Sequence, residues 1–263
     1  MKVLYLIAEN QEKLWLKQDF AQTFRESSTS RNAAEHFHYI RSQKGEKIAV
    51  IDRYDRILGW IGLIPGADRA GRYYTISGHE VRSECRGQGI GTRLLAEARE
   101  YAQYLGVSRL KFGTSPLWTV NSWLYITRLG SRYTWVNRIK LADGTPWPYV
   151  SGEWEPENPQ RKPAELPGLD VQRLSVLDWK GFRPVRREPF PRGRAITVLL
   201  PPLTAEQVRK AAEVVQGFLR ILFDLFETLS RLGYGFIWFD RLEHREEKMY
   251  FYYMTKELNL FAF

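Results

Sequence analysis

The stretch Val81–Leu95, VRSECRGQGIGTRLL, decides how the chain is read. Glycines stand at 87, 89 and 91, an arginine at 86, and an apolar helical pattern follows directly. Glycine reaches positive φ without steric cost and lets a backbone approach a ligand closely. Successive N–H groups at a helix start, with the positive end of the helix dipole, favour an anion. The segment therefore reads as a cradle for a diphosphate. A G-x-x-x-x-G-K-[ST] loop is absent, and the spacing is not the G-x-G-x-x-G of a dinucleotide fold.

The surrounding pattern gives the cradle its place. Leu94, Leu95, Ala98, Tyr101, Ala102 and Leu105 recur at helical spacing, so "TRLLAEAREYAQYLG" is a helix stopped by Gly106. Upstream, "EKIAVIDRYDRILGWIGLIPG" reads as two strands around a turn at Tyr54-Asp55, and "RYYTISGHEV" as the third strand of a meander. The N-terminal "KVLYLIA" is a buried strand, and residues 10–42 carry helical spacing. Downstream come a strand "SRLKFGTS", a short helix "VNSWLYITRLG" and strands "RYTWVNRIKL" and "YVSGEWEP". Four prolines in residues 155–169 mark a linker or crossing segment. Beyond it, "RAITVLLPP", a helix opened by a Thr204/Gln207 capping box and ended at Gly233, and strands "YGFIWFD" and "KMYFYYMT" around the turn "RLEHREE" make a β-α-β-β unit. The expected division is 1–155, a linking segment 156–185, and 186–263.

Composition narrows the function classes. The 263 residues suit one large domain or two small ones. The net charge of +9 comes from scattered basic residues, apart from Arg183, Arg186, Arg187, Arg192 and Arg194; no run of five like charges argues for a nucleic-acid tail. A single cysteine excludes an internal disulfide, and the four histidines lack zinc spacing, so no metal is expected. The apolar N-terminus is too short for a signal peptide, and no apolar stretch approaches the ~20 residues of a membrane span. The expectation is a cytoplasmic protein with no membrane contact. Residues 218–232 are apolar around much of a helix circumference, which suits packing on the rest of the chain or a homodimer interface.

Val81 followed by Arg86-Gly-Gln-Gly-Ile-Gly91 at a helix start resembles the acyl-CoA signature of the GNAT superfamily of N-acyltransferases. The element order over roughly residues 1–155 is similar to that fold. The resemblance implies an α/β (α+β) fold with a mixed, mostly antiparallel central sheet flanked by helices. It implies acetyl-CoA or another acyl-CoA, succinyl-CoA included, as co-substrate. The backbone of Gly87, Gln88, Gly89, Ile90 and Gly91, with Arg86 and Thr92, would hold the CoA diphosphate. The backbone near Val81, where strands splay, would pair with the pantetheine arm. Asn121 matches an asparagine that meets the cofactor arm, or else caps its helix.

A narrower branch of the superfamily resembles the chain more widely. It carries a similar "DGLP"-like turn, here "DGTP", a final "VEW"-like strand, here "SGEW", and a C-terminal extension of strand, long helix and two strands. Some of its members are linked to N-succinylation of amino acids. That branch has a histidine where this chain has Ser77, and here the histidine is His79. Residues two apart in a strand share a face, so His79 is expected to reach the same cleft. The long helix carries only Arg209, Arg220 and Arg231, which leaves recognition of an acidic acyl group open.

Transfer of an acyl group to an amine needs a base for the amine, a donor for the oxyanion and an acid for the thiolate. His79 is the best-typed base and Glu80 the next; alternation lets only one face the cleft. A backbone N–H near Val81 is the expected oxyanion donor. Tyr125 is the candidate acid, although the superfamily's tyrosine usually stands about seven residues after the asparagine and this one stands four after. Cys85 lacks an obvious base partner. The leading reading is a CoA-dependent N-acyltransferase acting on a small-molecule amine or amino acid. A non-catalytic acyl-CoA-binding module and an acyltransferase for protein or RNA are the alternatives.

Overall fold

The computed structural model describes residues 1–5, 33–114, 119–140, 146–156, 172–175, 177–178, 183–184, 195–200, 222, 224–244 and 247–255. Two compact units make up the chain: residues 1–112 with 153–158, and residues 113–152 with 159–263. The strands of the first region are β1 (Lys2–Tyr5), β2 (Glu46–Ile51), β3 (Ile57–Asp68), β4 (Gly71–Val81), β5 (Leu110–Thr114), β6 (Arg132–Lys140) and β7 (Pro146–Trp154). They form one mixed sheet in the order β1-β2-β3-β4-β5-β7-β6. The expected fold class is the observed one.

In the first unit, β1 to β4 run antiparallel to one another in succession, and β4 pairs parallel with β5. The β2–β3 turn is built by Asp52, whose Oδ1 accepts the N–H groups of Tyr54 at 2.8 Å and Arg56 at 3.0 Å. Asp55 takes the positive φ (58°) that the tight return needs. Helix α1 (Ala33–Ser42) lies on one face of β3, with Ile40 packed over Gly62. Helix α2 (Ile90–Tyr104) lies on the other, with Ile90 and Leu94 against Gly59. Its buried stripe is Ile90, Leu94, Leu95, Ala98 and Ala102. Gly106 (φ 67°) ends it in a Schellman arrangement, with Gly106 N–H on the Gln103 carbonyl and Val107 N–H on the Ala102 carbonyl.

Strand β4 contains an extra residue. Ile61 faces His79 and Leu63 faces Ile76, so two steps along β3 match three along β4. Gly78, at φ 83°, absorbs the difference as a bulge. A side chain there would run into the Trp60 indole. The insertion changes which residues share a face. Ile76 and His79 now lie on the α2 side, while Glu80, opposite Trp60, lies on the α1 side. Ser77 and His79 therefore point to opposite faces, and the alternation expected to bring His79 to the place of Ser77 does not hold.

Pairing between β4 and β5 is short. It covers Tyr74 with Leu110 and Thr75 with Lys111, and β4 then runs six residues further to Val81. The splay expected near Val81 thus opens earlier, just past Thr75. Its base is tied by Arg109, which is almost fully buried. Its carbonyl accepts the Tyr74 N–H at 3.0 Å. Its guanidinium grips Asp68 of β3 in two hydrogen bonds, 2.6 and 3.2 Å, and also bonds Glu153 of β7. Lys111 adds a 2.5 Å bond to Asp68 and lies 3.9 Å from the Tyr73 ring centroid. Arg109, then Lys111, hold the Asp68 carboxyl well below the ordinary carboxylate range.

In the second unit, helix α3 (Thr119–Ser122) continues into a π-helical turn, Trp123–Arg128. Thr127 Oγ1 donates to the Phe239 carbonyl at 2.6 Å. Strands β8 (Gln172–Ser175), β11 (Ala195–Leu200), β12 (Gly235–His244) and β13 (Glu247–Thr255) form a second sheet in the order β12-β13-β11-β8. The pair β9 (Leu177–Asp178) and β10 (Arg183–Pro184) stands apart. Strand β8, parallel to β11, lies within the stretch read as linking segment. The "RLEHREE" turn is mostly strand: Arg241 pairs with Tyr250, Glu243 with Lys248 and His244 with Glu247. A helix over residues 224–231 buries Phe226 and Leu229 and ends at Gly233 (φ 85°). Residues 6–32, the Thr204/Gln207 cap and Arg209 and Arg220 lie outside the described residues.

The bulge and the cradle differ in what a side chain would meet. Gly78→Ala is expected to cost about 2–4 kcal/mol, from the indole clash and the left-handed φ together. Gly87→Ala, also at positive φ (80°) but with no atom within 4 Å of the new Cβ, should cost only about 1–2 kcal/mol. Urea denaturation of the two variants measures both, and a smaller loss for Gly78→Ala would contradict the packing described for the bulge.

Candidate active site

The cradle forms between the end of β4 and α2. A 3₁₀ turn, Ser83–Cys85, leads into Arg86, and Gly87 and Gly89 follow at φ 80° and 79°. No protein atom lies within 4 Å of the place a Cβ would take at either glycine. Both glycines are therefore required by backbone conformation, and the backbone there is open to approach by a ligand. Helix α2 begins at Ile90, two residues earlier than the apolar pattern suggested, with left-handed Gly89 as its N-cap. The first intrahelical acceptor serves Arg93, whose N–H bonds the Gly89 carbonyl at 3.0 Å. The N–H groups of Ile90, Gly91 and Thr92 precede it and have no carbonyl one turn back. No side chain caps this end. Ile90 is buried and anchors the turn, while Arg86 to Gly89 are exposed.

Two arginines brace the loop from behind. Arg86 Nε donates to the Val81 carbonyl at 3.3 Å. Arg82 Nε donates to the Ile57 carbonyl, and its backbone N–H bonds the Leu58 carbonyl at 2.9 Å. Gln88 reaches the Glu84 carbonyl weakly, at 3.4 Å. Burial, and then Glu84, push the Cys85 thiol up, so it is a poor nucleophile at neutral pH.

His79 and Glu80 sit on opposite faces of β4. His79 Nε2 lies 3.0 Å from the Gly91 carbonyl. A carbonyl only accepts, so this nitrogen carries the proton. Burial pushes the imidazole down from the ordinary 6.5 to about 4, against a smaller upward pull from the Gly91 bond. Glu80 is buried at 9 % exposure beside Trp60 on the α1 face. Val81 ends β4 and pairs with Gly59.

Asn121 and Tyr125 belong to the second unit. Thr119 and Val120 precede Asn121 inside α3, so it is not the helix cap. Tyr125 is buried in the π-helical turn, where its carbonyl accepts the Ser131 N–H at 3.1 Å. Sequence reasoning missed Gly78 and Arg109. The bulge had a faint signal, a glycine inside a strand pattern. Arg109 had none beyond a charge at a strand start. Among the described residues no group of three or more His, Cys, Asp and Glu could hold a metal ion. No helix among them is long and apolar enough to cross a membrane.

A glycine-rich helix start fed by a strand that parts from its parallel neighbour suits a ligand with both a diphosphate and an amide-bearing arm. Residues 14–130 match the model of the acetyltransferase (GNAT) family. Similar solved structures include a ribosomal-protein-alanine N-acetyltransferase from Brucella melitensis, 17 % identical with a TM-score of 0.46, covering 59 % of this chain and 99 % of that one. An aminoglycoside 6'-N-acetyltransferase complexed with coenzyme A is 18 % identical, with a TM-score of 0.45 and coverage of 59 % and 97 %. A chain of the NatC complex bound to Gag peptide and CoA is 14 % identical, with a TM-score of 0.46 and coverage of 59 % and 99 %. No curated protein matches the chain in sequence. The match makes residues 14–130 an acetyltransferase (GNAT) domain.

The partly buried imidazole makes a pH prediction. The unfolded chain takes up a proton on His79 near pH 6.5 that the folded protein refuses until about 4. Stability should therefore fall as pH drops through that window. Thermal denaturation at pH 7.5, 6 and 5 checks it. His79→Gln should flatten part of the decline, and an unchanged slope would contradict the burial of a neutral imidazole.

Proposed function

We propose that the protein moves an acyl group from acyl-CoA directly to a primary amine of a small molecule or an amino acid, without a covalent enzyme intermediate. The observation that carries this reading is the continuity of β4. Its edge leaves β5 after Thr75 and runs into the glycine cradle. In this reading the amides from Gly87 to Thr92 hold the diphosphate, with Arg86 bracing the loop through Val81. The β4 edge from Ile76 to Val81 offers strand-like hydrogen bonds to the amides of the pantetheine arm. When bound, acyl-CoA supplies an acyl group already activated as a thioester.

Glu80 takes the proton from the acceptor ammonium, being the carboxylate on the β4 face away from the cradle helix. A backbone N–H of the β4 edge beside the bulge donates to the carbonyl oxygen as negative charge develops there. The nitrogen bonds the acyl carbon, the carbon–sulfur bond breaks and the thiolate is protonated. The family resemblance gives that last proton to Tyr125. Cys85 takes no part. Acetyl is the acyl group the family favours, and succinyl is the alternative from the narrower resemblance.

Melting temperature with free CoA, acetyl-CoA, succinyl-CoA and a longer acyl-CoA tests the reading. A ligand at a hundred times its Kd stabilises by about 2.7 kcal/mol, roughly 5–10 °C for a chain of this size. The acyl-CoA giving the largest rise is then the donor for an amine screen. In that assay Glu80→Gln should lower kcat about 10²–10⁴-fold while CoA still raises the melting temperature. No rise with any CoA species overturns the proposal, and an unaffected Glu80→Gln removes Glu80 as the base.

A further inference from the structure

We infer that His79 is a positioning residue for the diphosphate cradle, its Nε2–H holding the Gly91 carbonyl so that the first-turn amides of α2 keep one orientation. This rests on reading Gly87–Thr92 as the acyl-CoA site. Three glycines in five residues make that segment entropically costly to fix. No side chain caps the helix start. The contact from His79 is thus a restraint from outside the loop, at 3.0 Å.

The geometry explains why the carbonyl of Gly91 is the right atom to hold. A peptide unit is planar and trans, so the Gly91 C=O and the Thr92 N–H lie in one plane and point oppositely. Fixing the oxygen fixes the direction of the Thr92 N–H. That N–H is the last of the amides without a carbonyl one turn back, and it points out of the helix start, where an anion sits. A carbonyl has two lone pairs, so Gly91 accepts from His79 alongside its helical bond.

The bulge makes the contact possible. Were residues 76–80 a regular strand with no bulge, residue 79 would turn to the α1 face and residue 80 to the α2 face. With it, His79 faces α2 and Glu80 faces away. One inserted glycine thus delivers an N–H to the cradle and a carboxylate to the opposite side. The same engagement leaves His79 poorly arranged to serve as the base, because the nitrogen nearest the cradle already carries its proton and donates it.

Free CoA is the probe, titrated calorimetrically into wild type, His79→Phe and His79→Gln at a temperature below each melting point. Phenylalanine keeps the ring and removes the donor, and glutamine places an N–H near the Nε2 position. His79→Phe is expected to weaken CoA binding about five- to tenfold, the worth of one such hydrogen bond, and His79→Gln to recover to within about twofold. Equal affinity in wild type and His79→Phe overturns the inference and leaves the acyl-CoA reading standing. Failure of wild type to bind CoA at roughly millimolar concentration overturns that reading and this inference with it. Should His79→Phe not fold, the ¹⁵N spectrum of the wild-type imidazole decides. A neutral ring protonated at Nε2 from pH 5 to 8, with and without CoA, is the expected result. A proton on Nδ1, or a titration within that range, overturns the inference.

Discussion

The first unit depends on one unresolved demand of backbone hydrogen bonding: β4 must stay paired with β3 along its length while parting from β5 after two residues. Each strand has two edges of donors and acceptors, and groups kept from both protein and water are expensive. On the β3 side the ladder continues to Val81 opposite Gly59. On the β5 side it stops at Thr75. Separation of two parallel neighbours would ordinarily propagate backward and loosen the sheet. Arg109, just before β5, ties β3 to β7 at this point through Asp68 and Glu153. The opening therefore has a tied base, and beyond Thr75 β4 is no longer laddered to β5.

The inserted residue at Gly78 divides labour between the two faces of that same strand. A regular strand would place residues 76, 78 and 80 together. The bulge instead groups Ile76 with His79 on the α2 face and sends Glu80 to Trp60 and the α1 face. The position admits glycine alone, since it needs a positive φ and the Trp60 indole fills the side-chain volume. Trp60 and Gly78 are thus a matched pair. The large ring supports the core and also enforces the bulge that orients the two titratable side chains after it.

Much of the fold was legible because its signals are local. Gly87, Gly89 and the following apolar stripe announce a cradle and a helix wherever they occur. Gly106 and Gly233 are helix stops by the left-handed conformation that they adopt. The narrower errors arose where tertiary context overrides a local period. Alternation failed between Ser77 and His79 because a glycine inside a strand pattern is compatible with both a regular strand and a bulge. The tie at the base of the opening was unreadable because Arg109 meets Asp68 and Glu153 41 and 44 residues away in sequence. The charged residues Arg241–His244 looked like part of a turn by composition, yet cross-strand partners such as Glu243 and Lys248 make them strand. Tyr125 shows a different limit: it stands four residues after Asn121, and the helix between them changes to a π-helical turn at Trp123, which the sequence did not announce.

The charge around the cradle gives the last step. Arg82 and Arg86 flank it, and a charge-based reading would make both ligands for phosphate. Each instead commits its Nε–H to a backbone carbonyl, of Ile57 and Val81 respectively. Together with His79 on the Gly91 carbonyl, three side-chain N–H groups hold the backbone on either side of the glycines. On the proposed reading, binding of the diphosphate falls chiefly to main-chain amides and the helix dipole, which these contacts hold in place. Such preorganisation removes ordering cost from binding. On that reading a loop so poor in side chains is selective through the orientation of its peptide planes.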